Sequence, residues 1–331
     1  MGKYTSIGGQ ALIEGIMMKS PEKTAIGVRL PSGEIDISYL EQNSLKEKYK
    51  ILSLPVIRGI VGYIEAMLQG YKALMFSADK SGFTDLEEEK TQEQKKENST
   101  LINIVMVIGT VLGVILAVVL FMLLPRLFVS AIEWIFSVNI ESKLLRSGIE
   151  QLLKLIVFVA YVWAVSFMKD IKRVFMYHGA EHKTIFCYEK GLPLTVENVK
   201  EQGRFHPRCG TSFLILMILI SVIFSTLVQM IFPSVYNLAW VWVAIKILMI
   251  PLICGVGYEV LKFCGKYDNT LTRIISAPGL WLQRITTKEP EADMIEIAIA
   301  ALKACEPQVP DVDRSIDNNE EKAEENGNDD I

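Results

Sequence analysis

The histidines of this chain are concentrated in one short stretch of the sequence. All three histidines of the 331 residues, and two of the five cysteines, lie within residues 176–210. His178 and His182 belong to an H-x-x-E-H string, and His206 and Cys209 belong to an H-x-x-C string. Imidazole nitrogen and thiolate sulfur are the ligand atoms that zinc prefers in proteins. The stretch therefore predicts a site for a divalent metal ion, with zinc as the favoured ion.

The spacing of the first string suits metal binding. A helical pattern is expected to continue to about Lys190, where Gly191 signals the end of the helix. His178 and His182, four residues apart, then project from one face of that helix. Glu181 flanks the same face, where it would orient a ligand or act as a general base on a water molecule beside the ion.

His206 is the predicted third ligand, because Pro207 favours extended backbone before it and a loop residue can then reach back to the helix. Cys209 is predicted to bind the same ion or to support it. If all four side chains bind, the shell is closed and the zinc is structural; if Cys209 stays off, a position opens for water and Glu181 becomes the base. Glu259 is a further candidate ligand, because it lies near the cytoplasmic end of the fourth span, at about the same depth as His178. The alternative without metal is a set of polar side chains near lipid headgroups or in a packed loop.

Hydropathy places this segment in a membrane protein. The hydrophobic fraction is 50% and the mean hydropathy is +0.30. A membrane-crossing helix needs about 20 apolar residues, and four stretches meet or approach that length: Leu101–Leu124, Gln151–Met168, Thr211–Phe232 and Leu238–Phe263. The predicted fold class is a mainly α, polytopic membrane protein with about four transmembrane helices and a small β-containing N-terminal cytoplasmic segment.

The connections between these spans carry further predictions. Residues 125–150 are predicted to form an interfacial helix on the outer face, followed by a turn. The second span is expected to run straight into the histidine segment as one helix. The fourth span contains Pro251, Gly255 and Gly257, so we expect it to be kinked or broken in its second half, as is tolerated where protein or a cavity surrounds the break.

The N-terminal residues predict a β-hairpin. Apolar residues alternate with polar or small ones on both sides of the turn signal Pro31–Gly33: Ile26, Val28 and Leu30 before it, and Ile35, Ile37 and Tyr39 after it. Gly8, Gly9 and Gly15 precede this hairpin. They allow either a close approach of the backbone to another surface or a tight turn, and the turn is favoured.

Residues 55–76 are mostly apolar, yet Arg58, Glu65 and Lys72 recur every seven residues. A charged stripe in lipid is costly, so we expect a helix that lies at the membrane interface or packs beside the bundle. Ion pairing within the fold is the expected role of the stripe.

The predicted order of segments is an N-terminal segment with a hairpin (1–50), an interfacial or bundle-packed helix (51–76), a mobile linker (77–100), a four-helix membrane domain (101–265) with a cytoplasmic His/Cys loop (169–210), a C-terminal cytoplasmic helical segment (266–305) and a disordered acidic tail (306–331). The His/Cys loop carries eight Lys and Arg residues, so the positive-inside rule places it and both termini in the cytoplasm. No cleavable signal peptide is expected at the start of the chain.

Charge and cysteine content exclude other classes of protein. The formal net charge is −4, but the tail holds ten acidic and two basic residues, which leaves a mildly positive body without the basic stripe of a nucleic-acid-binding protein. The cysteines show no paired framework, so reduced thiols are expected.

Five strings of the sequence carry a family resemblance: GGQALIEGIMM, YHGAEHKTI, GRFHPRCGTSF, PGLWLQRITTKEP and EIAIAAL. Over about residues 5–305 the chain resembles the YqhQ family of uncharacterised bacterial membrane proteins. The resemblance implies a bacterial inner-membrane location and a metal-dependent enzyme, without naming a substrate. Its strings add Gln10, Glu14, Arg58 and Trp281 as positions to test.

These observations favour a metal-dependent membrane enzyme, a zinc hydrolase at the cytoplasmic face of the bilayer. Its substrate would be a lipid-linked compound or a segment of a membrane protein. The alternative is a non-enzymatic membrane scaffold or assembly factor with a structural zinc site. A transporter that uses a broken fourth span and Lys246 is a weaker alternative, because there are few spans and no internal repeat.

Overall fold

A computed structural model of the chain describes residues 7–42, 49–83, 107–137, 140–207, 209–234, 239–267 and 269–306. The described part is mostly helical and has a small antiparallel sheet at its N-terminal end. Three predicted features fall wholly or partly outside the described residues: most of the linker (84–100), the start of the first span (101–106) and the acidic tail (307–331).

The sheet is a four-stranded meander in the order β1-β2-β3-β4. The strands are β1 (Gly8–Leu12), β2 (Gly15–Lys19), β3 (Thr24–Arg29) and β4 (Ile35–Leu40). Strands β3 and β4 occupy the place of the predicted hairpin, with Ile26 opposite Ser38 and Val28 opposite Asp36. The first two strands were not predicted, because their glycines favoured a turn.

Helices follow the sheet for most of the chain. They are α1 (Ile57–Lys80), α2 (Val107–Phe136), α3 (Lys143–Val165), α4 (Lys169–Glu189), α5 (Val196–Lys200), α6 (Gly210–Ile231), α7 (Ala239–Lys266), α8 (Thr270–Thr286) and α9 (Ala292–Cys305). A 3-10 turn at Lys50–Ser53 precedes α1.

The two faces of the sheet are covered by different helices. Strand residues alternate between the faces. Ile16 and Met18 share a core with residues of α4 and α9, whereas Met17 and Ile26 pack with Ala73 of α1. The N-terminal sheet, the histidine-bearing helix α4 and the C-terminal helix α9 therefore form one packed unit, although almost the whole membrane region separates them in sequence.

Four helical stretches within the described residues are long and apolar enough to cross a membrane: Val107–Phe136, Leu145–Val165, Gly210–Ile231 and Val241–Cys264. The predicted polytopic class is thus confirmed, together with the small N-terminal sheet. The predicted interfacial helix after the first span is not separate, because α2 continues through Pro125 to Phe136. A π-helical segment at Val119–Leu123 precedes that proline; it rearranges the hydrogen bonds that a proline ring disrupts.

One further expectation about the helices is wrong, and a second is wrong in part. The second span does not run straight into the histidine segment, since α3 ends at Val165 and α4 starts anew at Lys169. The fourth span is not broken, because α7 is one helix from Ala239 to Lys266. Pro251 lies inside that helix, so the predicted kink stays a prediction. Gly255 instead allows the backbone of Val56 to approach α7 closely. The transporter hypothesis thereby loses its broken helix.

Helix α1 packs between the sheet and α7 and is not among the candidate spans. Arg58, at its start, donates to both carboxylate oxygens of Glu259 in α7, at 2.6 Å and 2.5 Å. The stripe of charges in this helix thus contains an ion pair to the bundle. Residues on its open side, such as Met67 and Tyr71, are exposed and apolar.

Candidate metal centre

Helix α4 carries both histidines of the H-x-x-E-H string to one buried place. It ends at Glu189, followed by Gly191 in the left-handed region at φ +68°. The rings of His178 and His182 have centroids 4.4 Å apart, as expected for residues one turn apart. Between them, Gly179 lacks a Cβ where the carbonyl of Lys288 lies against the helix.

Cys209 comes to these histidines from the start of a membrane-compatible helix. It is the N-cap of α6, and its Sγ accepts a hydrogen bond from the Thr211 N–H at 3.4 Å. The same Sγ lies 3.1 Å from Nε2 of His178. The start of α6 thus places this sulfur beside the histidine-bearing helix.

The hydrogen bonds of both histidines direct their Nε2 atoms toward this cysteine. Nδ1 of His178 is bonded to the carbonyl of Thr286 at 2.9 Å, and Nδ1 of His182 to the carbonyl of Arg204 at 2.6 Å. A carbonyl accepts only, so Nδ1 carries a proton in both rings, and Nε2 is the ring nitrogen left to bind a metal. Metal-binding histidines are held in this way by their other ring nitrogen.

Ligand atoms of His178, His182 and Cys209 all lie within 4.8 Å of one another. Donor atoms around a tetrahedral zinc ion are about 3.5 Å apart, given its bond lengths, so small shifts complete the geometry. Nε2 of His182 is buried and has no hydrogen-bond partner among the described residues. Burial lowers the pKa of His182 below its ordinary value, which favours the neutral, metal-binding imidazole. The residues present fit a zinc ion.

His206, the predicted third ligand, lies beside this group but not in it. Its ring centroid is 5.7 Å from that of His182 and 4.6 Å from that of Phe186. Its Nε2 lies 3.6 Å from a carboxylate oxygen of Glu189. The structure thus brings Cys209, rather than His206, to the two helix histidines. Neither of the two arrangements predicted from the sequence consists of His178, His182 and Cys209 alone.

Gln283 in α8 explains the position of His206, and the sequence reasoning missed it. Its side-chain oxygen accepts from the His206 N–H at 2.7 Å, and its Nε2 donates to the His206 carbonyl at 2.7 Å and to Ser212 Oγ at 2.9 Å. Gln283 is fully buried. The available signal was an amide directly after the apolar run Leu280–Leu282 in the string PGLWLQRITTKEP.

Replacing Gln283 with leucine should destabilise the protein by about 2–4 kcal/mol, because the buried N–H and C=O groups of His206 would each lose a partner. Thermal unfolding in detergent measures the effect as a lower melting temperature. Arg284→Gln, at the exposed neighbouring position, is the matched control and should unfold like the wild type. Equal melting temperatures for both variants would show that the hydrogen bonds between Gln283 and the His206 backbone contribute no stability.

Glu181 is buried on the side of α4 that faces strand β1. A Cβ on Gly9 would lie 2.7 Å from Cγ of Glu181, so the glycine permits the carboxylate to sit against the strand. Burial raises the pKa of Glu181 to about 7, while His178 and a hydrogen bond from the Gly9 backbone oppose the rise. Both alternatives for these glycines occur. Gly9 provides a close approach, whereas Gly15 begins β2 directly after a tight turn at residues 13–14.

Replacing Gly9 with alanine should displace Glu181 and cost about 1–3 kcal/mol of stability, as overpacking typically does. Gly8→Ala is the matched control, because a Cβ there meets nothing within 4 Å. The melting temperatures of the two variants test this expectation. A Gly9→Ala protein as stable as Gly8→Ala would mean that Glu181 moves away from the strand without cost.

Two of the additional positions suggested by the sequence, Glu14 and Gln10, contact helices that pack on the sheet. Glu14 accepts hydrogen bonds from Arg173 of α4 at 2.5 Å and from the Tyr177 hydroxyl at 3.2 Å. The Gln10 amide contacts Gly70 in α1. Trp281, on α8, is half exposed.

Glu259, the further candidate ligand, is engaged by Arg58 through both carboxylate oxygens and is not part of the three-residue group. A cavity of about 380 Å³ lies on the other side of β1 from Glu181. Its lining includes Gly8, Gly9 and Lys19.

Comparison with known proteins gives the family of the chain. Residues 54–308 match the family described as "Protein of unknown function (DUF1385)". The chain belongs to this family. A curated relative, "Uncharacterized protein YqhQ" of Bacillus subtilis (strain 168), is 36% identical over 294 residues, which cover 88% of this chain and 89% of the relative. The resemblance to the YqhQ family is confirmed. No solved structure matches the chain.

Proposed function

We propose that this protein is a metal-dependent hydrolase of the bacterial inner membrane, with zinc held by His178, His182 and Cys209. The observation that carries the proposal is the buried Nε2 of His182. It has no hydrogen-bond partner among the described residues, and it lies within 4.8 Å of the other two donors. Three protein ligands with an open fourth position are the arrangement of catalytic rather than structural zinc. A bound zinc ion supplies Lewis-acid activation of water and of the bond to be cleaved.

Glu181 is the general base in this proposal. Its carboxylate is buried beside His178 and is held by the Gly9 backbone. A pKa near neutrality suits a group that takes a proton from water and returns it to a leaving group. A divalent cation nearby would oppose the rise caused by burial and lower the pKa of Glu181 below about 7, so the carboxylate would be ionised and ready to accept the proton at physiological pH.

The position of the centre favours a substrate at the membrane surface. Cys209 immediately precedes a membrane-compatible helix that begins at Gly210, so the metal ligands lie where the bundle meets the sheet-containing unit. We place this face in the cytoplasm, because the loop with the histidines carries eight Lys and Arg residues. A lipid-linked compound or a segment of a membrane protein can reach such a site.

Hydrolysis can be tested without knowledge of the substrate. Zinc-loaded protein would be added to membranes from cells that lack it, in water enriched in heavy oxygen, and products with one heavy oxygen atom would be sought by mass spectrometry. We expect labelled products with the wild type and none with Glu181→Gln or His182→Ala. Identical labelling in all three samples would overturn the hydrolase proposal.

The second candidate is a scaffold or assembly factor with a structural zinc site. It is favoured by the depth of burial, since His182 is 1% exposed, and by the joining of α4, α6 and α8 through His178, Cys209 and Thr286. In that case His178→Ala should strongly reduce the abundance of the protein, whereas Glu181→Gln should have no effect on any phenotype.

A further inference from the structure

Basic side chains occur within the membrane-compatible helices at the end of the bundle away from the metal centre. Arg126 lies in the second half of α2, Lys154 in the first half of α3 and Lys246 in the first half of α7. Successive spans alternate in direction, so these three positions share one end of the bundle. Cys209 stands at the start of α6, which belongs to the opposite end. The three cations are half buried.

Electrostatic interactions connect Lys246 with the other two cations. Nζ of Lys246 lies 5.2 Å from the ring centroid of Trp242, which is buried. Lys154, Arg126 and Glu150 are all close enough to Lys246 to interact with it electrostatically. A basic group is thus assembled from three separate helices rather than scattered along one of them.

The carboxylates near this cluster are shared with a fourth cation. Arg146 of α3 makes ion pairs with Glu133 at 3.0 Å and with Glu150 at 3.5 Å. Its guanidinium also donates to Ser130 Oγ at 2.9 Å. Positive charge is therefore in excess among these described side chains: Glu133 and Glu150 stand against four cations, Arg126, Arg146, Lys154 and Lys246.

Excess charge at this depth requires a counter-charge. Ionisable groups within membrane helices are costly unless they are paired or reach water. The neighbours of the cluster on the outside of the bundle are apolar: Ile247, Leu248 and Leu127 are all more than half exposed. Acyl chains fit such a surface, and a lysine ammonium or a guanidinium fork is a strong donor to phosphate oxygens.

We propose that Arg126, Lys154 and Lys246 bind the phosphate group of an anionic membrane lipid at the end of the bundle opposite the metal centre. A lipid supplies both parts of the match, since its phosphate compensates the excess charge and its chains cover the apolar helix faces. Inorganic phosphate would compensate the excess charge but would leave the apolar helix faces uncovered. The site is separate from the metal centre, and its ligand chemistry does not depend on the function proposed for that centre.

Native mass spectrometry of the full-length protein in detergent tests this proposal, with phosphatidylglycerol as the probe. We expect bound lipid on the wild type and binding weakened at least about tenfold in the Lys154→Gln/Lys246→Gln double variant, since each lysine contributes about a fivefold factor near an anionic headgroup. Lys262→Gln, at an exposed lysine near the other end of α7, is the matched control and should bind like the wild type.

Two further variants serve as controls for loss of fold and for an effect of the metal centre. Lys154→Arg/Lys246→Arg keeps the charge and should retain the lipid, which separates loss of charge from loss of fold. His182→Ala should bind lipid normally, because the metal centre lies at the other end. Equal lipid binding by the wild type and the glutamine double variant would overturn the proposal. So would displacement of the lipid by millimolar inorganic phosphate, which would indicate a site for free anions.

Discussion

Replacing Cys209 with serine should abolish metal binding. Wild-type protein purified without chelators is expected to carry about one zinc ion per chain, as a site with three protein ligands does. The serine variant should carry almost none, because a neutral hydroxyl does not replace a thiolate whose Sγ lies 3.1 Å from His178 Nε2. Elemental analysis by inductively coupled plasma mass spectrometry measures the stoichiometry.

Two variants control this result. Cys187→Ser changes a buried cysteine of α4 whose thiol is near the carbonyls of Leu192 and Pro193 rather than the histidines, and its zinc content should equal that of the wild type. His206→Gln should also keep its zinc, because the structure leaves this ring outside the three-donor group. Zinc loss in His206→Gln as complete as in Cys209→Ser would restore the ligand set that the sequence predicted.

Replacing Glu181 with glutamine should abolish function while leaving the metal and the fold in place. Glutamine has nearly the same shape and can still accept the Gly9 N–H bond, but it cannot take a proton from water. Removal of a general base typically lowers a rate by about 10²–10⁴. The measurements are rescue of cells that lack the protein, together with zinc content and melting temperature of the purified variant.

Glu189→Gln is the matched control for this experiment, since that carboxylate lies on the same helix beside His206 rather than in the three-donor group. It should rescue cells as the wild type does. Full rescue by Glu181→Gln, with normal zinc content, would remove the base from the mechanism and favour the structural zinc site.

The sequence predicted the features that depend on local periodicity and composition. Long apolar runs require helices that satisfy their backbone polar groups internally, which gave the four spans. Alternation around Pro31–Gly33 gave the β3–β4 hairpin. The four-residue spacing of His178 and His182 fixes their common helical face in any fold. The residue types predicted a metal site in the same way, and that metal site stays a prediction.

Features that rest on approaches between distant segments were decided only by the tertiary structure. Whether Gly9 permits a turn or a contact depends on Glu181, which is far away in sequence and is brought there by the packing of α4 on β1. The uninterrupted α7 and the continuation of α2 through Pro125 also depend on neighbours and on hydrogen-bond rearrangement, which composition does not encode.

The candidate metal centre also has some features that the sequence predicted and others that the tertiary structure decided. The sequence by itself determined that two histidines share one helix face and that a third histidine and a cysteine follow in a loop. Only the tertiary structure shows which of the last two joins the imidazoles of His178 and His182: Cys209 belongs to the three-residue group and His206 does not. Gln283 holds the backbone of His206 with paired hydrogen bonds, and the start of α6 carries Cys209 to the imidazoles. When candidate ligands come from different segments, the packing that orients each side chain decides which of them meet. The spacing of residues in the sequence does not reveal that packing.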